Sequence, residues 1–466
     1  MKILIINVSL RPNSPVKFFP IGLGYIATAI KHAGYEFELL DIDAYRYSDE
    51  YIEQYIKDHD FDVVCMGCIV TGYKIIKNLS LTIKKYHPQS KVIVGNSVAT
   101  TIPEILLTRT GADIAVMGEG DETIVDLLDT LAAGGELEKV AGICYLKNGQ
   151  LLQTPERPYI KDVSAIPFID YSLFPVEQYL AASQYSANDV VPIPRDEIRC
   201  LPVNTARGCI ARCTFCYHVF KTVPYRARSS ETIVEEIKSL VERYGINYIL
   251  FADELTFHNK KRALELSERL LAEDVHVYWS ADCRAELFQH EEDVAIIEKM
   301  KEAGCVEIAY SLESTDPEIL KAMNKKISVE QFSRQTRLVH QAGLTPTTSL
   351  VIGYPQETVD SIRKTLECCM ENRIYPSTGY LLPQPGSKMY EYAVEEGFIT
   401  DEEEFLLLMG DRQDLRLNMT KMSDSEMEAA VSEGLKRCNE ALGIGLTTDQ
   451  LLKTQYYRKP TDQKQE

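Results

Sequence analysis

No apolar run in the 466 residues approaches the roughly 18 needed for a membrane-spanning helix, so no span is expected. Basic residues are in deficit. Fifty Lys and Arg face 69 Asp and Glu, a formal net charge of −19. That balance argues against a general phosphate-binding surface and leaves room only for a local basic groove; no nucleic-acid partner is expected. The 12 cysteines lack the density of a secreted disulfide framework, because only one close triplet occurs. The opening run at residues 1–8 is short, leads straight into polar residues, and reads as a first strand and not a signal peptide. A reducing cytoplasm is the expected compartment. With 45% hydrophobic residues, the length suits about three domains with substantial cores.

The one triplet is Cys209, Cys213 and Cys216, spaced C-x-x-x-C-x-x-C on a loop led by Gly208. Three thiolates within eight residues can wrap one corner of a small metal cluster. In a cubane of about four irons, three cysteines leave one iron open for a small molecule. A closed zinc site wants a fourth ligand, and only His218 is at hand. The cluster ranks ahead of zinc, and zinc ahead of a chance group of core cysteines.

With Phe215 just before the third cysteine, the motif resembles the signature of the radical S-adenosylmethionine (SAM) superfamily. The resemblance implies a [4Fe–4S] cluster on Cys209, Cys213 and Cys216 whose open iron binds SAM. It also implies reductive cleavage of SAM to a radical that abstracts hydrogen, with the protein supplying positioning and exclusion. Phe215 and Tyr217, beside the cysteines, are SAM-contacting candidates on the same ground.

Residues 1–145 alternate short apolar strands (2–8, 37–42, 62–69, 91–94, 113–117) with helical patterns (20–33, 74–86, 102–108, 121–132). The alternation predicts a doubly wound parallel sheet. Gly22, Gly24 and Ala27, with Asp41 and Asp43 downstream, match a dinucleotide fingerprint. They follow a twelve-residue loop with Pro12, Pro15 and Pro20, so they are expected inside a helix, packed on the sheet, and not in a phosphate-binding turn. The region is more similar to the cobalamin-binding domain that precedes one subgroup of radical SAM enzymes. Ligands of such sheets lie beyond the strands' C-terminal ends. The loops expected there, 9–19, 68–72, 95–101 and 118–122, make Arg11, Cys68, Gly95, Gly118, Glu119 and Gly120 the cobalamin candidates. The first loop has no His, so it can place no histidine on cobalt. Arg11 either faces the lower side of cobalt or is a solvated loop arginine. Cys65 and Cys68 read as core.

Residues 146–200 carry a hairpin signal at Asn148 and Gly149, then recurrent prolines with interleaved aromatics. They read as an ordered connector. Residues 201–400 repeat a strand–helix unit six times, with polar residues at the strand ends: a partial (β/α)₆ barrel whose reactive face lies there. The resemblance assigns Asp253 and Glu254 to the SAM amino group and Glu313 and Ser314 to the ribose; it adds Ile352 as a contact. Arg284 suits the SAM carboxylate. Residues 401–466 have helical periodicity at 400–408 and 423–442, and 459–466 reads as a polar, frayed end.

The whole pattern resembles the cobalamin-dependent radical SAM enzymes. It implies methylation of an unactivated carbon of a small molecule, with a cyclase, oxidase or rearrangement without methyl transfer as the alternative. A bare cobalamin carrier leaves the cysteine loop unexplained. An external electron donor, a flavodoxin or ferredoxin, is implied.

Overall fold

Strand β1 (Ile3–Asn7) is buried at every position, as the central strand of a parallel sheet covered on both faces must be. Around it a computed structural model describes residues 1–186, 191–410 and 414–452. The first sheet contains β2 (Glu38–Asp41), β3 (Val63–Gly67), β4 (Lys91–Gly95), β5 (Ile114–Val116), β6 (Ile143–Lys147) and β7 (Gln150–Gln153), in the order β2-β1-β3-β4-β5-β6-β7. β1 to β5 are parallel, and β6 and β7 add an antiparallel edge. The chain reverses between these two at Asn148 and Gly149, both with positive φ (53° and 78°), the conformation of a two-residue hairpin turn. The first sheet therefore runs on past residue 145.

Helix Ile21–His32 contains both glycines of the apparent dinucleotide fingerprint. A side chain at Gly24 would meet Ile169 at 3.0 Å, so that glycine serves close packing, as its place after a long loop suggested. One expectation fails here. Segment 95–101 is no loop but mostly helix, Asn96–Thr101, followed by a second helix, Pro103–Arg109. Pro103 accounts for the break, since proline fits a first helical turn and not an interior. Helix Asp49–Asp58 is a further element that the strand pattern did not suggest.

The connector packs as a seam between the sheets. The Tyr179 hydroxyl donates to Asp41 (2.7 Å to Oδ2), which also accepts from the Asn7 amide at 2.8 Å. Phe19 lies between Tyr171, Phe174 and Tyr179, with ring centroids 4.6, 4.9 and 5.5 Å away.

The second sheet is all parallel: β8 (Cys200–Val203), β11 (Tyr248–Phe251), β12 (Tyr278–Asp282), β13 (Cys305–Ala309), β14 (Thr345–Ile352) and β15 (Pro376–Tyr380), in the order β15-β14-β13-β12-β11-β8. A helix follows each strand, and β8 and β15 stay unpaired with each other, which leaves the barrel open. A short ribbon, β9 (Ala206–Arg207) with β10 (Arg226–Ala227), interrupts the first unit. The last strand, β15, is the least apolar of the six. Pro376 at its first residue is the position a strand tolerates, and Gly379 weakens the apolar pattern. Trp279, the sole tryptophan, is a fully buried residue of β12, and its indole N–H donates to Ala303 O at 2.8 Å.

Helix Asp424–Leu442 packs Met427, Val431, Leu435 and Cys438 inward, with a capping box at Ser423. The expected frayed end at 459–466 lies outside the described residues, as do residues 411–413 between the last two long helical patterns. Among the described residues no helix is long and apolar enough to cross a membrane.

Candidate active site

The cysteine loop, residues 208–225, leaves the barrel between β9 and β10. Its first residue, Gly208, has φ +89°, a conformation that favours glycine. Two acidic residues just past β11 hold its start. Asp253 accepts from the N–H groups of Thr205 (2.7 Å) and Ala206 (3.0 Å), the Thr205 hydroxyl (2.6 Å) and the Asn204 amide (3.2 Å). Glu254 accepts from Gly208 N–H at 3.0 Å. The far side is fixed by Thr214, whose N–H donates to Met323 O (3.0 Å) and whose hydroxyl donates to Ala322 O (2.8 Å).

Cys213 is buried, and Cys209 and Cys216 are half-buried. Burial, then the neighbouring Cys213, pushes the Cys216 thiol up to about 11. Burial also raises Cys213, opposed by Lys325. Cys209 and Cys213 both lie near enough to Cys216 for their charges to act on it. Among the described residues no three His, Cys, Asp or Glu side chains are disposed to chelate a single metal ion. A cluster whose irons take one thiolate each spreads its ligands and suits this donor set. His218, the fourth ligand in the zinc reading, instead lines a cavity. Burial, then Lys221 and Arg212, lowers its ring to about 4, and its Nδ1 is buried without a partner.

Around the loop, Glu313 has φ +66° and pairs with Lys325 at 3.0 Å, both side chains nearly buried. Its second carboxylate oxygen is buried with no partner, an acceptor that a hydroxyl-bearing ligand would satisfy. Ser314 and Ile352 are buried beside it on adjoining strand ends. Arg284 donates to Lys325 O at 2.7 Å and pairs with Glu286. Glu254 is exposed to the cavity and accepts one bond, whereas Asp253 is engaged by four donors of residues 204–206. Phe215 stands edge-on to Tyr354, 6.4 Å between centroids, and Tyr217 lies on the cavity wall. Asp282 ends β12; burial, then the Asp253 and Glu307 charges, pushes its carboxyl up to about 7.

The strand ends of the two sheets face one cavity of about 530 Å³. Gly67, Gly95, Gly118 and Gly120 form its N-terminal wall, and Asn204, Tyr217, His218 and Glu254 stand opposite. At Gly95 and Gly118 an added Cβ would point into open space. Such a wall of bare backbone suits a broad flat ligand, and Gly118 (φ +68°) could carry a side chain only with strain. Two expectations for this wall fail. Cys68 is not on it: the thiol is packed beneath the loop against Gly72. Arg11 is not on it either; its loop turns away, and its carbonyl accepts from Arg46 at 3.0 Å. Glu119 does line the cavity, but its carboxylate is taken up by two arginines of the cysteine loop's neck, a role the sequence gave no means to see.

A parallel barrel with a three-cysteine loop at its mouth, faced by a flavodoxin-type sheet, defines an enzyme built around a cluster and a second large cofactor. Residues 203–369 match the radical SAM superfamily model, and residues 10–128 match that of the B12 binding domain. The chain thus joins a region that matches the B12 binding domain to one that matches the radical SAM superfamily. It is similar to an uncharacterized methyltransferase of Pyrococcus horikoshii, 29% identical over 82% of this chain and 79% of the relative. It is also similar to the anaerobic magnesium-protoporphyrin IX monomethyl ester cyclase of Rubrivivax gelatinosus, 24% identical over 83% of this chain and 68% of that one. The fold is shared with the radical SAM methyltransferase TsrM of Kitasatospora setae, solved with cobalamin and a [4Fe–4S] cluster (TM-score 0.65, 19% identity, 85% of this chain and 75% of that one).

Proposed function

We propose that this protein is a cobalamin-dependent radical SAM methyltransferase that methylates an unactivated carbon of a small-molecule substrate. The observation that carries the reading is the single cavity on which both sets of strand ends converge. When bound, the cluster with SAM supplies hydrogen-atom abstraction, and the corrin supplies the methyl group. Cys209, Cys213 and Cys216 hold the cluster. Glu254, with its carboxylate open to the cavity, receives the SAM ammonium, and Glu313 offers its unpartnered oxygen to the ribose. Arg284 takes the SAM carboxylate after exchanging its bond to Glu286; Phe215, Tyr217, Ser314 and Ile352 shape that pocket. Asp253 acts one step back, holding the start of the cysteine loop. Gly95, Gly118 and Gly120 let the corrin lie against the backbone, and no histidine from residues 1–145 reaches it.

The Rubrivivax relative favours a second reading, ring closure by the same radical start without methyl transfer. Electrons come from a flavodoxin or ferredoxin, and the oxygen-sensitive site belongs in the cytoplasm. Anaerobic purification with iron, sulfide and corrin analysis tests the cofactors. Turnover that yields both 5′-deoxyadenosine and S-adenosylhomocysteine supports methyl transfer; deoxyadenosine alone supports the second reading. Tight zinc with negligible iron would refute both.

A further inference from the structure

Arg207 and Arg226 stand directly opposite each other on the β9–β10 ribbon. Like charges in that register repel, and these two side chains are only 8% and 6% exposed. Arg207 is the last residue before Gly208, and Arg226 is the first after the loop. The pair is thus the neck of the cysteine loop, and the barrel's own residues leave it charged.

The neutralising groups come from the other sheet. Glu119 accepts from Arg207 Nη1 at 2.9 Å and from Arg226 Nη1 at 2.9 Å, bridging the two cations. It also accepts from Ile160 N–H at 2.8 Å. Asp121 holds Arg207 in a two-point pair at 2.9 and 2.8 Å. Phe220, inside the loop, lies 5.6 and 5.7 Å from the two guanidinium carbons and closes the group from the cavity side. Removing the bridging carboxylate would leave Arg226 buried without an acid and facing Arg207, which Asp121 alone would hold, the costly way to break a buried ion pair.

Glu119 sits between Gly118 and Gly120, the backbone against which a corrin would lie. A ligand that fixes this turn also fixes the carboxylate that closes the loop. We propose that Glu119 is a positioning residue that couples corrin occupancy of the first sheet to closure of the cysteine loop, so that corrin and cluster bind with positive cooperativity. The inference rests on the proposed function for the presence of both cofactors. Linkage requires the effect to be reciprocal: the factor by which the cluster tightens corrin binding is the factor by which corrin tightens the cluster.

The test titrates hydroxocobalamin anaerobically into the full chain, with and without reconstituted cluster, by visible absorbance. The wild-type protein should bind roughly tenfold more tightly with the cluster in place, within the usual range of coupling between sites. Glu119→Gln should reduce that factor to near one while each form still binds, and Arg207→Lys should restore most of it relative to Arg207→Met. A second measurement covers a Glu119 variant that does not fold. In the cluster-free wild-type chain, hydroxocobalamin should slow amide hydrogen exchange across residues 205–228, and Asp121→Asn should weaken that protection. Equal affinities with and without cluster in the wild type, or an unchanged factor in Glu119→Gln, would overturn the coupling while leaving the proposed function intact. Unchanged exchange on corrin binding would do the same. No binding of hydroxocobalamin to either form removes both.

Discussion

Glu254 accepts the backbone N–H of Gly208 at 3.0 Å, and so ties the end of the second barrel strand to the residue before Cys209. Its neighbour Asp253 accepts four bonds from residues 204–206, two of them from backbone N–H groups. Adjacent acids thus divide the work, one open to the cavity and one consumed in holding the loop. Asp253→Asn should lower iron retention severalfold because it mispairs buried donors at the loop's root. Glu254→Gln should keep the iron and weaken SAM binding about tenfold, a loss of roughly 1.4 kcal/mol. Iron analysis with equilibrium binding of SAM separates the two.

The three cysteines should act as a set. Reconstituted wild-type protein should hold about four irons per chain, the content of one cubane. Replacing Cys209, Cys213 or Cys216 with Ala should abolish SAM cleavage, whereas Cys438→Ala, in a fully buried helix position, should leave the iron content unchanged.

Gly95 has φ −123°, which any residue adopts, and open space where a side chain would stand. Gly95→Val should therefore fold with nearly wild-type stability yet lose most corrin uptake, because its methyl groups project into the cavity. Corrin-to-protein ratio after reconstitution checks this. Unchanged uptake would place the corrin elsewhere.

Lys325 neutralises Glu313 inside the barrel mouth at 3.0 Å. Lys325→Met should destabilise the chain by about 3 kcal/mol, since it leaves a buried carboxylate unpaired. Lys325→Met combined with Glu313→Gln should recover most of that loss in denaturant unfolding.

The Asp282 carboxyl is pushed up to about 7 from its ordinary 3.8, by burial first. The unfolded chain releases this proton near 3.8 and the folded chain near 7, so the group erodes stability as pH rises between those values. Asp282→Asn removes the loss. Its stability relative to the wild type should climb through that interval and level off above it, at about 1–2 kcal/mol, a figure reduced for solvent within the barrel mouth. Unfolding midpoints measured across the interval test the sign.

Most of the fold was legible because its strands are short buried runs separated by amphipathic helices. The first sheet follows from segments such as 62–69, and the barrel from six repeated units with polar strand ends. The cysteine loop was legible because its chemistry is local in sequence. What could not be read was long-range partnership. Nothing near Glu119 announces Arg207 and Arg226, about a hundred residues on. Asp253 and Glu254 look alike in sequence, and only the approach of Thr205 and Ala206 separates their roles. Arg11 and Cys68 were placed on the cavity wall by loop position, but the direction a loop takes depends on what it packs against, here Arg46 and Gly72. The helix at Asn96–Thr101 was hidden by a β-branched, polar stretch with weak helical preference.

Trp279 is the chain's sole tryptophan, and it sits wholly inside the barrel, against Phe251 and Phe257. Indole emission is therefore an optical gauge confined to one half of the molecule. Loosening of the flavodoxin-type sheet will pass unseen in that signal, while far-ultraviolet dichroism registers both halves. A gap between the two melting curves would give, without any label, the difference in resilience between the part that makes the radical and the part that holds the corrin.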